Sequence, residues 1–390
     1  METHTSSSTG DTILAAVRSL EPEIRRLAQT METERQLPPA LANALMEAGV
    51  FRMGVPRVFG GPECDPMTQV RIVEELSRIE GSVGWLSMIS SAGSFLAAFI
   101  QPAVAQRLFG DVRAVIAGQI RPPQRADLVE SGYRVSGRFH FASGCHHASV
   151  MLCGCVVYEN GELRRYGTSD NEEFRTMLIP ASKVSIVEVW DTTGMRGTGS
   201  NDFVVEDVFV PFDECPNMAE PPHCPGPLYR WPPLFLVSHA GVPLGIARNA
   251  IDFVEELSAK KGMMPSRRLL RDDTQTQEAI AWAEAQLGAA RSYVYSTVED
   301  LWNTLCRGDK LSPRQRAHYR LMITYSHQAA KQIVSTLYDT AATSSIFRTS
   351  PLDRNLRDIF TACQHRVVHT KMYRQAGRLL LDLDPEEPFF

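Results

Sequence analysis

The sequence predicts an α+β chain in three consecutive parts: an α-helical domain over residues 1–111, a β domain over 112–225 built as a barrel or sandwich, and a helical bundle over 226–390. Three observations carry this reading. Apolar residues recur at three- and four-residue spacing up to about Gln106, short β-branched runs bounded by turns fill Val112 to Asp213, and long helical patterns return after Trp231. With 390 residues, 44% of them apolar and 22% charged, the chain has material for a large core and more than one domain.

In the first part, ILAAVRSLEPEIRRLAQ and PPALANALMEAG each place apolar side chains on one helical face, the second stopping at Gly49. The Gly- and Pro-rich GVFRMGVPRVFGG is a connector. DPMTQVRIVEELSRIEGS then opens a helix with Asp65 as N-cap and Pro66 in its first position. Residues 81–106 carry no formal charge and are long enough to suggest a membrane span. Ser82, Ser87, Ser90, Ser91 and Ser94, together with Pro102, argue instead for a buried or pocket-lining helix.

In the middle part, RAVIAG, GYRVSGRFHFASG, ASVMLCGCVVYE, EFRTMLIP, SKVSIVEVW and NDFVVEDVFVP read as strands, and EPPHCPGP is the linker out. After it come four segments each long enough for an extended helix, the last being PLDRNLRDIFTACQHRVVHTKMYRQAGRLLL, which together suggest a four-helix bundle.

The balance of 40 basic against 45 acidic residues, a net charge of −5, disfavours a nucleic-acid partner. Eight cysteines are too few for a disulfide scaffold, and the polar start METHTSSSTGD does not read as a signal peptide, so the cytoplasm is the expected compartment. Neither a phosphate loop nor H-E-x-x-H or G-x-S-x-G occurs, nor an E-x-x-H pair of the kind a di-iron bundle needs. Cys145, His146, His147, Cys153 and Cys155 invite a metal reading, but C-x-C on an apolar alternating strand with no second C-x-x-C favours buried thiols; no metal is expected.

The run DTTGMRGTGSNDFVVEDVFVP (Asp191–Pro211) resembles the segment by which acyl-CoA dehydrogenases and their relatives pass their flavin. GYRVSGRFHFASG, AGVPLGIARNAIDF (Ala240–Phe253) and RNLRDIFTACQH (Arg354–His365) join it in order over nearly the whole chain. The resemblance implies an acyl-CoA dehydrogenase-like fold and a flavin held by Gln119, Phe141, Ser143, Gly144, Arg196, Gly197, Thr198, Gly199 and Ser200. Arg271, in a cluster with Arg267 and Arg268, would meet a flavin phosphate or simply face solvent. Physically, a turn of glycines and small hydroxyls suits the polar edge of an isoalloxazine ring.

Dehydrogenation of an acyl thioester requires a carboxylate base, usually placed shortly after the R-D pair or near A-G-x-P-L-G. No Asp or Glu lies between Asp358 and Asp382, or between Trp231 and Val242. His365 stands in the first of those places, matching the active-site His of the two-component flavin-dependent monooxygenases built on this fold. Ser143 matches the Ser that there bonds flavin N5. The resemblance therefore implies an oxygenase component using reduced FMN, with FAD as the alternative, and O2 by way of a flavin C4a-hydroperoxide to hydroxylate a phenolic or polyketide-like aromatic.

It further implies a separate NAD(P)H-dependent flavin reductase and a homotetramer. The pocket wall would draw on Trp85, Met88, Ser90, Ser91, His239 and Phe347, with His369 one helical turn from His365. An acyl-CoA dehydrogenase or oxidase with a displaced base, and a flavin-fold protein retained for binding alone, stand as alternatives.

Overall fold

The computed structural model describes residues 5–166 and 171–386. Five helices open the chain: α1 (Thr5–Glu34), α2 (Pro39–Glu47), α3 (Pro66–Ile79), α4 (Gly81–Ser94) and α5 (Pro102–Phe109). Of the polar N-terminal run, Met1 to His4 lie outside the described residues, and the helical pattern read from Asp11 begins earlier, at Thr5. Asp65 caps α3 by accepting the Thr68 N–H at 3.0 Å. Glu80, in extended conformation between α3 and α4, caps the latter by accepting the Val83 N–H at 2.9 Å.

The uncharged stretch Gly81–Phe99 is 89% buried inside the protein. Its serines face the Val50–Gly54 connector, whose buried backbone has no ladder partner and must be satisfied some other way. Ser87 and Ser91 both donate to the Val50 carbonyl (2.8 and 2.9 Å), Ser90 donates to that of Phe51 (3.1 Å), and the Gly54 N–H donates to Ser94 (3.1 Å).

The middle part forms one seven-stranded mixed sheet of β1 (Ile116–Val129), β2 (Gly132–Ala142), β3 (Val150–Glu159), β4 (Glu162–Leu163), β5 (Phe174–Pro180), β6 (Ser185–Val187) and β7 (Asn201–Pro211). The order is β4-β3-β1-β2-β7-β6, with β5 also on β3; β1 and β3 are parallel and all other pairs antiparallel. β5 and β7 touch without sharing hydrogen bonds, so the sheet curls around a core that includes Phe139, Met151, Cys153, Met177 and Phe203. β1 extends well past RAVIAG. It runs through Pro122 and Pro123, which donate no ladder bond, because the register with β3 breaks between Gln119 and Gln124 just where they fall.

A 3-10 segment at Pro232–Ala240 leads into α6 (Gly241–Ser258), followed by α7 (Thr274–Arg307), α8 (Pro313–Ala341), α9 (Pro351–Ala362) and α10 (Met372–Leu380). α6 lies directly on α3: a Cβ at Gly245 would sit 2.2 Å from the Glu74 carbonyl oxygen, and one at Gly241 2.6 Å from that of Val70. The N-terminal helices and the bundle share one apolar core, whereas the sheet has its own.

The last expected bundle helix is not continuous. α9 ends at Ala362, the chain turns, and His365 takes an extended conformation (φ −63°, ψ 134°) before a 3-10 turn at Arg366–Val368. The β-branched Val367, Val368 and Thr370 carry little helix preference across this break. His369 consequently does not share a helix face with His365; its Nδ1 accepts the Lys371 N–H at 3.1 Å.

Candidate active site

The end of β2, the Asp191–Ser200 loop, α4, the Pro232–Ala240 segment and the turn after α9 converge on one cluster. Its spine is a chain of hydroxyls. Trp85 Nε1 donates to Ser143 Oγ at 3.3 Å, Ser143 and Ser200 share a 2.7 Å hydroxyl contact, and Thr198 meets Ser200 at 2.7 Å while donating to the Met195 carbonyl. The Gly144 N–H, donating to the Thr198 carbonyl at 2.9 Å, joins the two turns. Met195 (φ 53°), Gly199 (φ 50°) and Gly144 (φ 76°) all occupy the left-handed region, which lets both turns fold this tightly.

Beyond Trp85 stand two imidazoles. The Trp85 ring meets His365 edge-on at 5.5 Å and His239 at 6.0 Å, and the two histidine rings lie 5.1 Å apart. Nδ1 of each is shielded from solvent and has no hydrogen-bond partner. Burial lowers the pKa of His365 to about 4, and burial followed by the charges of His365, His327 and Arg320 lowers that of His239 still more firmly. Both rings are therefore neutral at physiological pH and able to accept a proton or a hydrogen bond.

On the outer side, Phe141 is 65% exposed although its φ is 59°, a conformation an aromatic residue rarely holds. Its ring stands edge-on to Trp190 at 6.4 Å. Gln119 Oε1 accepts the His140 N–H, bracing the same end of β2. An exposed ring beside a ribbon of buried hydroxyls, with unpartnered imidazole nitrogens on the inner side, is a donor set that fits a flat polar-edged cofactor such as flavin.

The site is anchored from behind. Asp358 accepts the Met195 N–H, Arg357 Nη1 donates to the Thr193 carbonyl at 2.7 Å and Arg357 also pairs with Glu32 of α1 at 2.9 Å. Between those two contacts Gly194 presses on α9 so closely that a Cβ would stand 2.1 Å from the Arg357 carbonyl oxygen. Burial, and then the neighbouring charge of Glu80, push the Asp358 carboxyl upward, and its Oδ2 is buried without a partner.

Of the residues read from the sequence, Trp85, Ser143, Gly144, Thr198, Ser200, His239 and His365 are thus drawn together. Ser90 and Ser91 are not available to a substrate, because the connector backbone takes their hydroxyls. Met88 is fully buried in the helical core. Phe347 is 61% exposed, and His369 is turned to its own 3-10 segment, so neither joins the cluster within the chain. The Arg196 guanidinium is occupied by Asp191, the Thr192 carbonyl and the Glu32 carbonyl, and with Gly197 it shapes the loop. Arg271 is exposed on the α6–α7 connection.

Cys145, Cys153 and Cys155 are buried, and burial raises all three thiols, Cys145 to about 11. His327, Glu80 and the clamp formed by Arg357 and Asp358 were not among the sequence-derived candidates. A legible signal existed for His327: Arg320, Thr324 and His327 form a polar stripe at i, i+4 and i+7 on the buried face of α8.

Comparison with known proteins gives this constellation its context. The family described as "Acyl-CoA dehydrogenase, N-terminal domain" matches residues 10–113 and "Acyl-CoA dehydrogenase, C-terminal domain" matches 237–370. The indole-3-acetate monooxygenase of Pseudomonas putida is 30% identical over 95% of this chain and 94% of its own. The oxygenase subunit HsaA, a flavin-dependent monooxygenase of Mycobacterium tuberculosis, is 28% identical over 90% of this chain and 91% of its own. The crystal structure of 3-HSA hydroxylase from Rhodococcus sp. RHA1 superposes with a TM-score of 0.89 at 26% identity, covering 97% of this chain and 99% of that one.

Fold and site together define a flavoenzyme of acyl-CoA dehydrogenase architecture. Within that architecture the chain belongs to the flavin-dependent monooxygenases. The dehydrogenase with a displaced base and the non-catalytic flavin-fold protein give way to this assignment.

Proposed function

We propose that the enzyme is the oxygenase component of a two-component system, inserting one atom of O2 into an electron-rich aromatic such as a phenol, an indole or a polyketide-like molecule. A separate NAD(P)H-dependent reductase delivers the flavin in reduced form, FMN or FAD. When bound, reduced flavin supplies the two electrons that take the second oxygen atom to water. The observation that carries the reading is the Trp85–His239–His365 cluster beside Ser143, set in a segment that holds no carboxylate from Ile359 to Leu381.

Each residue has a task in this scheme. Ser143, fixed between Trp85 Nε1 and Ser200, holds the reactive edge of the flavin, and Thr198 and Ser200 keep that hydroxyl aimed. His365, neutral and unpartnered at Nδ1, accepts the hydrogen of the substrate hydroxyl or ring N–H. That makes the ring more nucleophilic, and negative charge developing on the substrate raises the basicity of the imidazole as the proton moves. Trp85 and His239 wall the pocket and exclude water. Apolar side chains left exposed on the C-terminal part, including Ile346, Phe347, Leu381 and Leu383, are the surface that a cytoplasmic homotetramer would cover.

The test supplies reduced FMN or FAD and 18O2 to the protein with a panel of phenols and indoles. The proposal expects one labelled oxygen in an aromatic product. Quantitative release of hydrogen peroxide with every member of the panel would contradict it.

A further inference from the structure

Besides His365 Nδ1, which the proposed oxygenation uses, the elements packed around it carry four buried polar atoms that it does not use. Ser238 Oγ, His239 Nδ1, Thr324 Oγ1, His327 Nε2 and His365 Nδ1 are all shielded from solvent and all without a hydrogen-bond partner. Ser238, His239, Thr324 and His327 are each at most 1% exposed. Folded proteins pair nearly all such atoms, so five on three converging elements mark a place built to be occupied.

The convergence is geometric. Thr324 and His327 lie one turn apart on α8, which packs against both the Pro232–Ala240 segment and the Arg366–Val368 turn. Cys363, two residues before His365, directs its thiol at the His327 carbonyl at 3.6 Å. The His239 and His365 rings are 5.1 Å apart, and each of these imidazoles lies within reach of the charge of His327.

The chemistry of His327 is fixed by its own helix. Its Nδ1 lies 2.8 Å from the Ile323 carbonyl, which can only accept, so Nδ1 carries the hydrogen and Nε2 is a bare acceptor. Burial keeps the ring neutral, lowering its pKa to about 4. Arg320, one turn before Thr324, further opposes protonation of His239. A neutral buried acceptor without a partner seeks an O–H or N–H donor.

We propose that His327 Nε2, with Ser238 and Thr324, forms a second polar subsite that binds a hydrogen-bond donor at the far end of the substrate, so that the preferred substrate is an aromatic with two donors, one for His365 and one for His327. This inference rests on the aromatic-oxygenase reading and narrows it. His327 is a binding residue here, distant from the reacting carbon. An aromatic lacking the second donor leaves Nε2 unsatisfied, and one hydrogen bond of ordinary strength corresponds to about a tenfold difference in affinity.

The experiment measures binding by anaerobic equilibrium dialysis on the full chain with reduced flavin, using phenol, resorcinol, hydroquinone and the monomethyl ether of each diol. Wild-type protein is expected to bind at least one diol about tenfold more tightly than phenol, with its monomethyl ether falling back to the phenol level. His327→Leu should erase that preference while leaving phenol and flavin affinity within about twofold. His327→Gln, which keeps an acceptor, should retain part of it.

Equal affinity of wild-type protein for phenol and both diols overturns the inference and points to water as the occupant. So does a His327→Leu protein that keeps the preference or weakens phenol and diol alike. Should His327→Leu fail to fold, the diol and ether comparison on wild-type protein decides alone. Wild-type protein that oxygenates indoles yet shows no diol preference overturns this inference only, whereas binding of no aromatic at all overturns the oxygenase reading with it.

Discussion

The carboxyl group of Asp358 accepts the backbone N–H of Met195, a residue 163 positions earlier in the chain, and so fastens the loop that carries Thr198 and Ser200 to the helix that ends just before His365. The two halves of the site are thereby set relative to one another by this buried hydrogen bond together with that from Arg357 to the Thr193 carbonyl. Asp358→Ala should loosen this register and weaken reduced-flavin binding by about tenfold, since a buried N–H loses its acceptor. Asp358→Asn keeps an acceptor oxygen and no longer confronts Glu80 with a second ionisable carboxyl; it should bind flavin nearly as well as wild type. Anaerobic flavin titration of the two variants checks this, and equal losses would show that the hydrogen bond is not what matters.

Gly194 allows that anchorage by its lack of a side chain. A methyl group there meets the Arg357 carbonyl oxygen, backbone that cannot swing aside. Gly194→Ala is expected to destabilise the fold by about 2 kcal/mol, in the range of overpacked cores. Chemical denaturation measures it, and an unchanged midpoint would argue that the loop does not press on α9 in solution.

Trp85 makes two kinds of contact that one substitution separates. Trp85→Phe keeps an aromatic wall against His365 and His239 but removes the N–H that Ser143 accepts. With its hydroxyl freed to rotate, Ser143 should hold the flavin edge less well. The expected result is more hydrogen peroxide per product, with substrate affinity changed by less than about threefold. A variant that loses substrate binding while keeping the wild-type ratio of product to peroxide would assign Trp85 to the substrate alone.

Acid stability follows from the buried imidazoles. His365 and His327 titrate near 4 in the folded protein, against about 6.5 in an unfolded chain. Below about pH 6.5 the unfolded state binds more protons, so this stability is fully present above that pH and is lost as pH falls through 4. Each group contributes at most about 3 kcal/mol over that window. His327→Leu should therefore lose less stability than wild type between pH 7 and 4.5 in urea titrations. Parallel curves would mean that His327 is protonated in the native state.

Much of the fold was legible because hydrophobic period reports burial directly: the three-part order, the Asp65 cap and the core strands of the sheet all have local causes. What was illegible depended on distant partners. Ser90 and Ser91 look like pocket hydroxyls until the buried Val50–Gly54 backbone claims them. The helix end at Ala362 has no glycine or proline to announce it. β1 hides behind Pro122 and Pro123, which a break in register with a neighbouring strand tolerates. At the site, Ser143 and His365 stood out through the family resemblance, but His327 resembles an ordinary helix histidine until its Nε2 is seen to be buried without a partner.

The central claim is that His365 serves oxygen transfer rather than flavin retention or folding. A single-turnover reaction of reduced flavin with O2 and a hydroxylated aromatic, comparing wild type with His365→Ala, tests it most directly. The account predicts flavin affinity within about twofold and product yield lowered at least tenfold, the missing product replaced by hydrogen peroxide. An undiminished yield, or a loss of product matched by an equal loss of flavin binding, would contradict it.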